Sequence, residues 1–168
     1  MGSTAFYSVG MRASELWIES YQGEVLGEAL FSAMADREED PEHRMQLEAL
    51  VLLERSTKQL AEPVFERKGL DRGDTAATLT SARELADVVA TMTWVEFLAS
   101  VEPVTEQFLL KYRELVELAT DDYEREIAEG YVAHELALAA FARRGLGKEP
   151  GEPLELIFAL PHVTPAVP

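Results

Sequence analysis

The chain of 168 residues contains no cysteine, which excludes disulfides, thiolate catalysis and cysteine-ligated metal centres. Basic residues are also scarce, because 15 Lys and Arg stand against 31 Asp and Glu and give a formal net charge of −16. This negative excess opposes binding to phosphate backbones and anionic lipid surfaces. Neither nucleic acid nor a membrane is therefore an expected partner.

Long apolar runs and common catalytic motifs are missing as well. No stretch reaches the roughly 18 uninterrupted apolar residues that span a bilayer, and the N-terminal segment lacks the charged start and apolar run of a secretory signal. There is no Gly-rich phosphate loop, nucleophile elbow or His-x-x-x-His pair. We therefore expect a cytoplasmic protein without the usual nucleotide, serine-hydrolase or zinc-protease signatures.

What the sequence does contain is helical periodicity, without clear strand patterns. Four long helices are predicted, at about residues 14–36, 41–68, 94–119 and within 120–147. Asp40 is a predicted N-cap with Pro41 at the first helical position, and Gly69 ends the second helix. Pro103 should kink the third helix without changing its phase.

The segments between and after these helices are shorter. Two glycines mark residues 69–79 as a crossover, and two capping boxes, Ser81-x-x-Glu84 and Thr93-x-x-Glu96, predict a short crossover helix and the start of the third long helix. The proline-rich end holds one apolar turn or short helix before an extended tail, which should dock on the bundle or on a partner.

These elements predict an all-α fold of one domain: an antiparallel four-helix bundle over 14–145, with a flexible arm at 1–13, a long middle crossover containing a short helix, and a docking tail at 146–168. The first helix carries a second apolar side, which indicates either deep burial or an interface between subunits and makes a homodimer the expected assembly. That side comprises Leu26, Leu30, Ala33 and Met34.

Carboxylates stand on the apolar stripes of the first two helices. Glu54 shares its face with Leu47, Leu50 and Phe65, and Glu24 and Glu28 share theirs with Trp17 and Phe31. An antiparallel hairpin that turns near residue 39 or 40 places residue 24 level with residue 55. Glu24 and Glu54 should therefore meet inside the bundle, where they must be protonated, paired with a cation or bound to a metal.

His134 lies in the centre of the core stripe of the last long helix, between Tyr131 and Leu138. The other two histidines, His43 near a helix start and His162 in the tail, are expected at the surface. Glutamates and a histidine that converge from separate helices form a ligand set for iron or manganese in a bundle core. Glu24, Glu54 and His134 are thus the candidate metal ligands.

The segments "YQGEVLGEALFSAMA" and "AHELALAAFA" resemble the ferritin-like superfamily, whose di-metal proteins use one Glu from each of two helices and a Glu-x-x-His pair from each of the other two. The resemblance implies that Glu24 matches the first-helix glutamate, Glu54 the glutamate of the first pair and His134 the histidine of the second pair. Thr57 stands in place of the first histidine and Tyr131 in place of the second glutamate, so the ligand set is reduced. The resemblance implies a metalloprotein with one or two iron or manganese ions, and the enzyme class that it implies is a non-haem oxidoreductase of undefined substrate.

Several alternatives remain open from the sequence. Glu54 could instead pair with Lys58, Glu28 could be an additional ligand or share a proton with its neighbours, and Thr57 and Tyr131 could line the site. His134 could be a satisfied core histidine. The competing functions are a metal-free ferritin-like structural or interaction protein, with the carboxylates in a polar cluster, and a haem-oxygenase-like helical bundle.

Overall fold

A computed structural model of the chain describes residues 3–164 and the side chains from residue 10 onward. It contains six helices and no strand within that range: α1 (Ser3–Arg37), α2 (Pro41–Lys68), α3 (Thr75–Val89), α4 (Trp94–Leu118), α5 (Asp122–Gly145) and α6 (Glu155–Phe158). The prediction of an all-α fold is confirmed, and the helices pack in a manner consistent with a bundle. No helix in the described range is both long and apolar enough to cross a membrane.

The predicted caps of α2 and α4 are present. The Asp40 side chain accepts hydrogen bonds from the backbone N–H groups of Glu42 and His43, at 2.9 and 3.0 Å. Gly69 ends α2 in the left-handed conformation, with φ of 61°. Thr93 and Glu96 form the reciprocal capping box that begins α4. These local signals set the bounds of both helices.

Two helix starts differ from the sequence prediction. The first helix begins at Ser3 instead of about residue 14, because the segment contains no proline or other strong stop signal and can continue the helix backwards. The crossover helix begins at Thr75, since Asp74 caps it by accepting from the Ala77 N–H at 3.0 Å. Ser81 therefore lies inside α3 and caps nothing. Residues 1–2 of the expected arm and 165–168 of the expected tail lie outside the described residues.

The most extensive packing joins α1 to α2 and α4 to α5, and α3 packs along α1. Leu30 of α1 belongs to the same core cluster as Ala86 and Val89 of α3, and Leu26, Ala33 and Met34 pack against that cluster. The second apolar side of α1 is thus covered by α3 of the same chain. It gives no argument for a second copy, and the homodimer stays a prediction.

Buried side chains form two clusters along the bundle. One includes Leu50, Phe97 and Phe141, together with Ile157 and Val163 from the end of the chain. Ile157 and Val163 are buried, so the tail docks on the bundle. Docking on the bundle was one of the two predicted alternatives, the other being docking on a partner. The second cluster includes Trp17, Phe65 and Tyr112, among others.

The candidate ligands lie where the two clusters meet. Along α1, Glu24 lies beside Val25, the last member of one cluster, and a short distance before Leu30, the first member of the other. Glu54 on α2 and His134 on α5 likewise separate members of the two clusters in sequence. The polar group is therefore a layer between two apolar layers, with little access to water.

Candidate metal centre

Glu24, Glu54 and His134 come together from α1, α2 and α5, with exposed fractions of 1%, 5% and 1%. His134 Nδ1 lies 3.3 Å from Glu24 Oε2, and His134 Nε2 lies 3.4 Å from Glu54 Oε1. One ligand atom from each residue can be chosen so that all lie within 4.8 Å of one another. The structure thus brings together the three residues that the sequence proposed as ligands.

Gly27 of α1 makes room for the Glu54 side chain. A Cβ atom at position 27 would lie 2.5 Å from Glu54 Cδ, far inside van der Waals contact. Any larger residue would force the carboxylate of Glu54 to move. Sequence reasoning could not find this role of Gly27, because it depends on the register of α1 against α2.

The charge of the group is poorly compensated. Burial raises the pKa of Glu24 to about 8, an effect that His134 opposes and Glu54 reinforces. Burial alone would lower the pKa of His134, but Glu24 and Glu54 raise it well above its usual range. Among the described residues, no lysine or arginine forms a salt bridge with Glu24 or Glu54. Either a protonated His134 or a bound cation would offset the charge of the two carboxylates.

Thr57 connects the group to the tail. Its hydroxyl lies 3.0 Å from the Leu53 carbonyl oxygen, 3.0 Å from His134 Nδ1 and 3.0 Å from His162 Nε2. Since a hydroxyl has one hydrogen and two lone pairs, donation to Leu53 leaves both lone pairs to accept from the two imidazoles. When His134 binds a metal it must lose one proton, and this arrangement would keep the remaining proton on Nδ1 and leave the Nε2 lone pair for the ion.

His162 is a site residue that sequence reasoning missed. It was expected at the surface, yet burial and the nearby His134 lower the pKa of His162 to about 4. No local pattern could have placed it here, because its position follows from the docking of the tail through Ile157 and Val163.

Two buried tyrosines flank the group. The Tyr112 hydroxyl of α4 donates to Glu24 Oε1 at 3.5 Å, a long hydrogen bond. As expected, α4 brings no carboxylate to the group, and a tyrosine stands there instead. A buried tyrosine usually has a hydrogen-bonded hydroxyl, but the Tyr131 hydroxyl has no hydrogen-bond partner among the described residues, which contradicts that expectation. Its ring packs edge-on against Trp17 and Tyr112.

Glu28 is turned away to a separate ion-pair cluster. Arg55 Nε contacts Glu28 Oε1 at 2.8 Å, and Lys58 bonds Oε2. Burial opposes ionisation of Glu28, but these two cations outweigh it and lower its pKa. Lys58 therefore pairs with Glu28, and the considered pair between Lys58 and Glu54 is not formed.

Glu135 lies about 100° around the helix from His134, which predicts a side chain in solvent or in an ion pair, but the structure contradicts this prediction. Its side chain is 5% exposed, and Oε2 is buried without a hydrogen-bond partner. Burial raises the pKa of Glu135 to about 8, with a smaller opposing effect of His134. The alanine-rich run 137–142 that follows is also buried, and it indicates that α5 has a wider buried face than one stripe.

The donor set suits a metal ion. Two carboxylates and one imidazole are ligands for iron or manganese, and Glu24 Oε2 is a buried oxygen without a hydrogen-bond partner. The buried group of Glu24, Glu54 and His134 can therefore hold a metal ion. Comparison with protein-family models, curated proteins and solved structures finds no match to this chain. The ferritin-like resemblance thus depends on the residues and the helical architecture alone.

Proposed function

We propose that the chain is a ferritin-like metalloprotein in which Glu24, Glu54 and His134 bind one iron or manganese ion. The observation that carries the proposal is the approach of their ligand atoms to within 4.8 Å of one another in a buried layer. Two carboxylates without a lysine or arginine partner would cost several kcal/mol when buried. A divalent cation would offset that charge and could bind Glu24 Oε2, which makes no hydrogen bond although His134 Nδ1 lies 3.3 Å from it.

The helix arrangement supports a ferritin-like bundle. α1 pairs with α2 and α4 pairs with α5, and the longer connection between the two pairs contains α3. A four-helix bundle with one long crossover is the arrangement of ferritin-like folds. The replacement of two family ligands, by Thr57 and Tyr131, favours one ion over two.

An oxidoreductase is the activity class that fits such a centre. A bound iron or manganese ion would supply electron-transfer and Lewis-acid chemistry towards dioxygen or peroxide. Thr57 keeps the proton of His134 on Nδ1, and Tyr112 donates to Glu24. Glu135, with its raised pKa, can hold a proton beside the ligands at neutral pH.

A metal-free interaction or structural protein is the competing function. Its support is the position of His134 between both carboxylates, at 3.3 and 3.4 Å, together with its raised pKa. An imidazolium there would form a polar cluster with Glu24 and Glu54, with no need of an ion.

Metal analysis of the purified chain separates the two functions. After expression with added iron or manganese, the wild type should contain close to one ion per chain, and Glu54→Gln and His134→Ala should lose most of it. Glu28→Gln is the matched control. Glu28 is bonded to Arg55 and Lys58 and is not a proposed ligand, so this variant should contain as much metal as the wild type. Far less than one ion in the wild type would establish the metal-free cluster instead.

A further inference from the structure

A pocket of about 280 Å³ opens beside the metal centre, between α1, α3, α4 and α5. Most of its lining is apolar, and Phe31, Val101 and Leu138 are among the side chains that form its walls. Glu24, Glu54, Glu135 and Tyr112 also line it. The pocket therefore combines an apolar body with a group of polar side chains.

The pocket reaches the surface between α3 and α4. Leu85, Met92 and Val104 line it and are 38%, 38% and 49% exposed. Apolar side chains around one opening are unfavourable in water, and an apolar ligand would cover them. The opening thus gives a small molecule a route into the pocket.

Glu135 supplies a polar anchor that is not one of the proposed metal ligands. Its Oε2 atom is buried without a partner, and Glu135 is not part of the group of Glu24, Glu54 and His134. A buried polar atom without a hydrogen bond destabilises the protein, so a ligand that supplies the bond gains affinity. A ligand hydroxyl can donate to a carboxyl oxygen or accept from a protonated one, whereas an ammonium group would have to leave water as a charge.

We propose that this pocket binds a compact apolar molecule that carries one hydroxyl group, with the hydroxyl bonded to Glu135. An apolar cavity of about 150 Å³ holds benzene, so the present pocket has room for roughly ten to twelve heavy atoms. The proposal goes beyond the metal centre and does not depend on a bound ion. Where an ion is present, the hydroxyl end of the ligand lies on the side of Glu24 and Glu54.

Calorimetric titration of the full chain with 2-naphthol and with naphthalene tests the role of the hydroxyl. 2-Naphthol should bind one molecule per chain, about fivefold more tightly than naphthalene, which is the effect of one neutral hydrogen bond. Glu135→Leu should make the two affinities equal. Equal affinities in the wild type, no binding of 2-naphthol, or tighter binding of naphthylmethylammonium would each overturn the proposal.

Two tryptophan variants test the location. Val104→Trp should narrow the opening and weaken 2-naphthol binding at least tenfold. Leu110→Trp is its matched control, since Leu110 lies on the same helix, is 70% exposed and does not line the pocket. Equal losses of 2-naphthol affinity in both variants would show that the ligand does not bind in this pocket. The metal content of Val104→Trp should equal that of the wild type, so failure of the pocket and failure of the metal centre give different results.

Discussion

The Thr57 hydroxyl and the His134 Nδ1 atom lie 3.0 Å apart, in hydrogen-bond contact. Thr57 occupies the position at which the ferritin-like pattern has a metal-binding histidine. Under the proposed function its hydroxyl would orient His134, because a hydrogen bond at Nδ1 leaves Nε2 for the metal.

Removal of that hydroxyl should weaken metal binding. Thr57→Val keeps the shape of the side chain but cannot accept from His134 Nδ1. Loss of a hydrogen bond to a ligating histidine typically lowers metal affinity 10- to 100-fold. Competition with a chelator measures the affinity, and Thr57→Ser, which keeps the hydroxyl, should be close to the wild type. An unchanged affinity in Thr57→Val would show that His134 needs no such orientation.

Two glycines of α1 should respond in opposite ways to alanine. Gly27→Ala places a methyl group against Glu54 and should destabilise the fold by about 1–3 kcal/mol, with loss of metal. At Gly23 a Cβ atom would meet Phe108 at 3.4 Å, an ordinary contact. Gly23→Ala should therefore be neutral or stabilising by up to about 1 kcal/mol through helix propensity. Denaturant unfolding measures the free energy of unfolding of both variants. Equal changes in Gly27→Ala and Gly23→Ala would contradict the close packing of Gly27 against Glu54.

Glu124 should make stability depend on pH. Its buried carboxylate contacts Lys68 Nζ at 2.7 Å and accepts from the Thr120 N–H at 3.1 Å. Burial opposes ionisation, but these partners outweigh it and lower the pKa of Glu124 in the folded chain. A folded pKa below the unfolded one stabilises the fold above the ordinary glutamate pKa, and that contribution is lost as pH falls through the folded value.

Glu124→Gln removes this contribution. The variant should be less stable than the wild type by about 1 kcal/mol at pH 7, and the difference should shrink below about pH 4. Urea unfolding at several pH values measures it, with Glu126→Gln as an exposed control on the same helix. A difference that stays constant with pH would show that the loss comes from packing rather than from charge.

The docked tail should contribute measurably to stability. Ile157 is fully buried in the core, whereas its neighbour Phe158 is 41% exposed. Ile157→Ala should lower the free energy of unfolding by about 2–5 kcal/mol, and Phe158→Ala should lower it by less although it removes more atoms. Thermal unfolding measures the stability of both variants. A larger loss of stability in Phe158→Ala than in Ile157→Ala would mean that the tail packs in another way.

The all-α class and the convergence of Glu24, Glu54 and His134 could be predicted because their signals are local. Asp40, Gly69 and Thr93 set helix bounds through their own caps, and helical periodicity placed Glu24, Glu54 and His134 on apolar stripes. The hairpin turn then fixed the register of the first two helices closely enough to bring both carboxylates together.

The rest depends on tertiary packing. His162 reaches Thr57 only because the tail docks, and Glu135 is buried because α5 buries more than one stripe. Gly27 matters only through its contact with Glu54. The sequence prediction started the crossover helix at the Ser81 capping box. In the structure the helix starts earlier, at Thr75, because Asp74 is an equally strong cap.

The most direct measurement is an anomalous-scattering map from crystals of the metal-loaded chain, collected on both sides of the iron or manganese absorption edge. We expect one peak within bonding distance of a carboxylate oxygen of Glu24, a carboxylate oxygen of Glu54 and Nε2 of His134. A map without a peak at these residues, in protein shown to be saturated with the metal, would contradict the proposed centre.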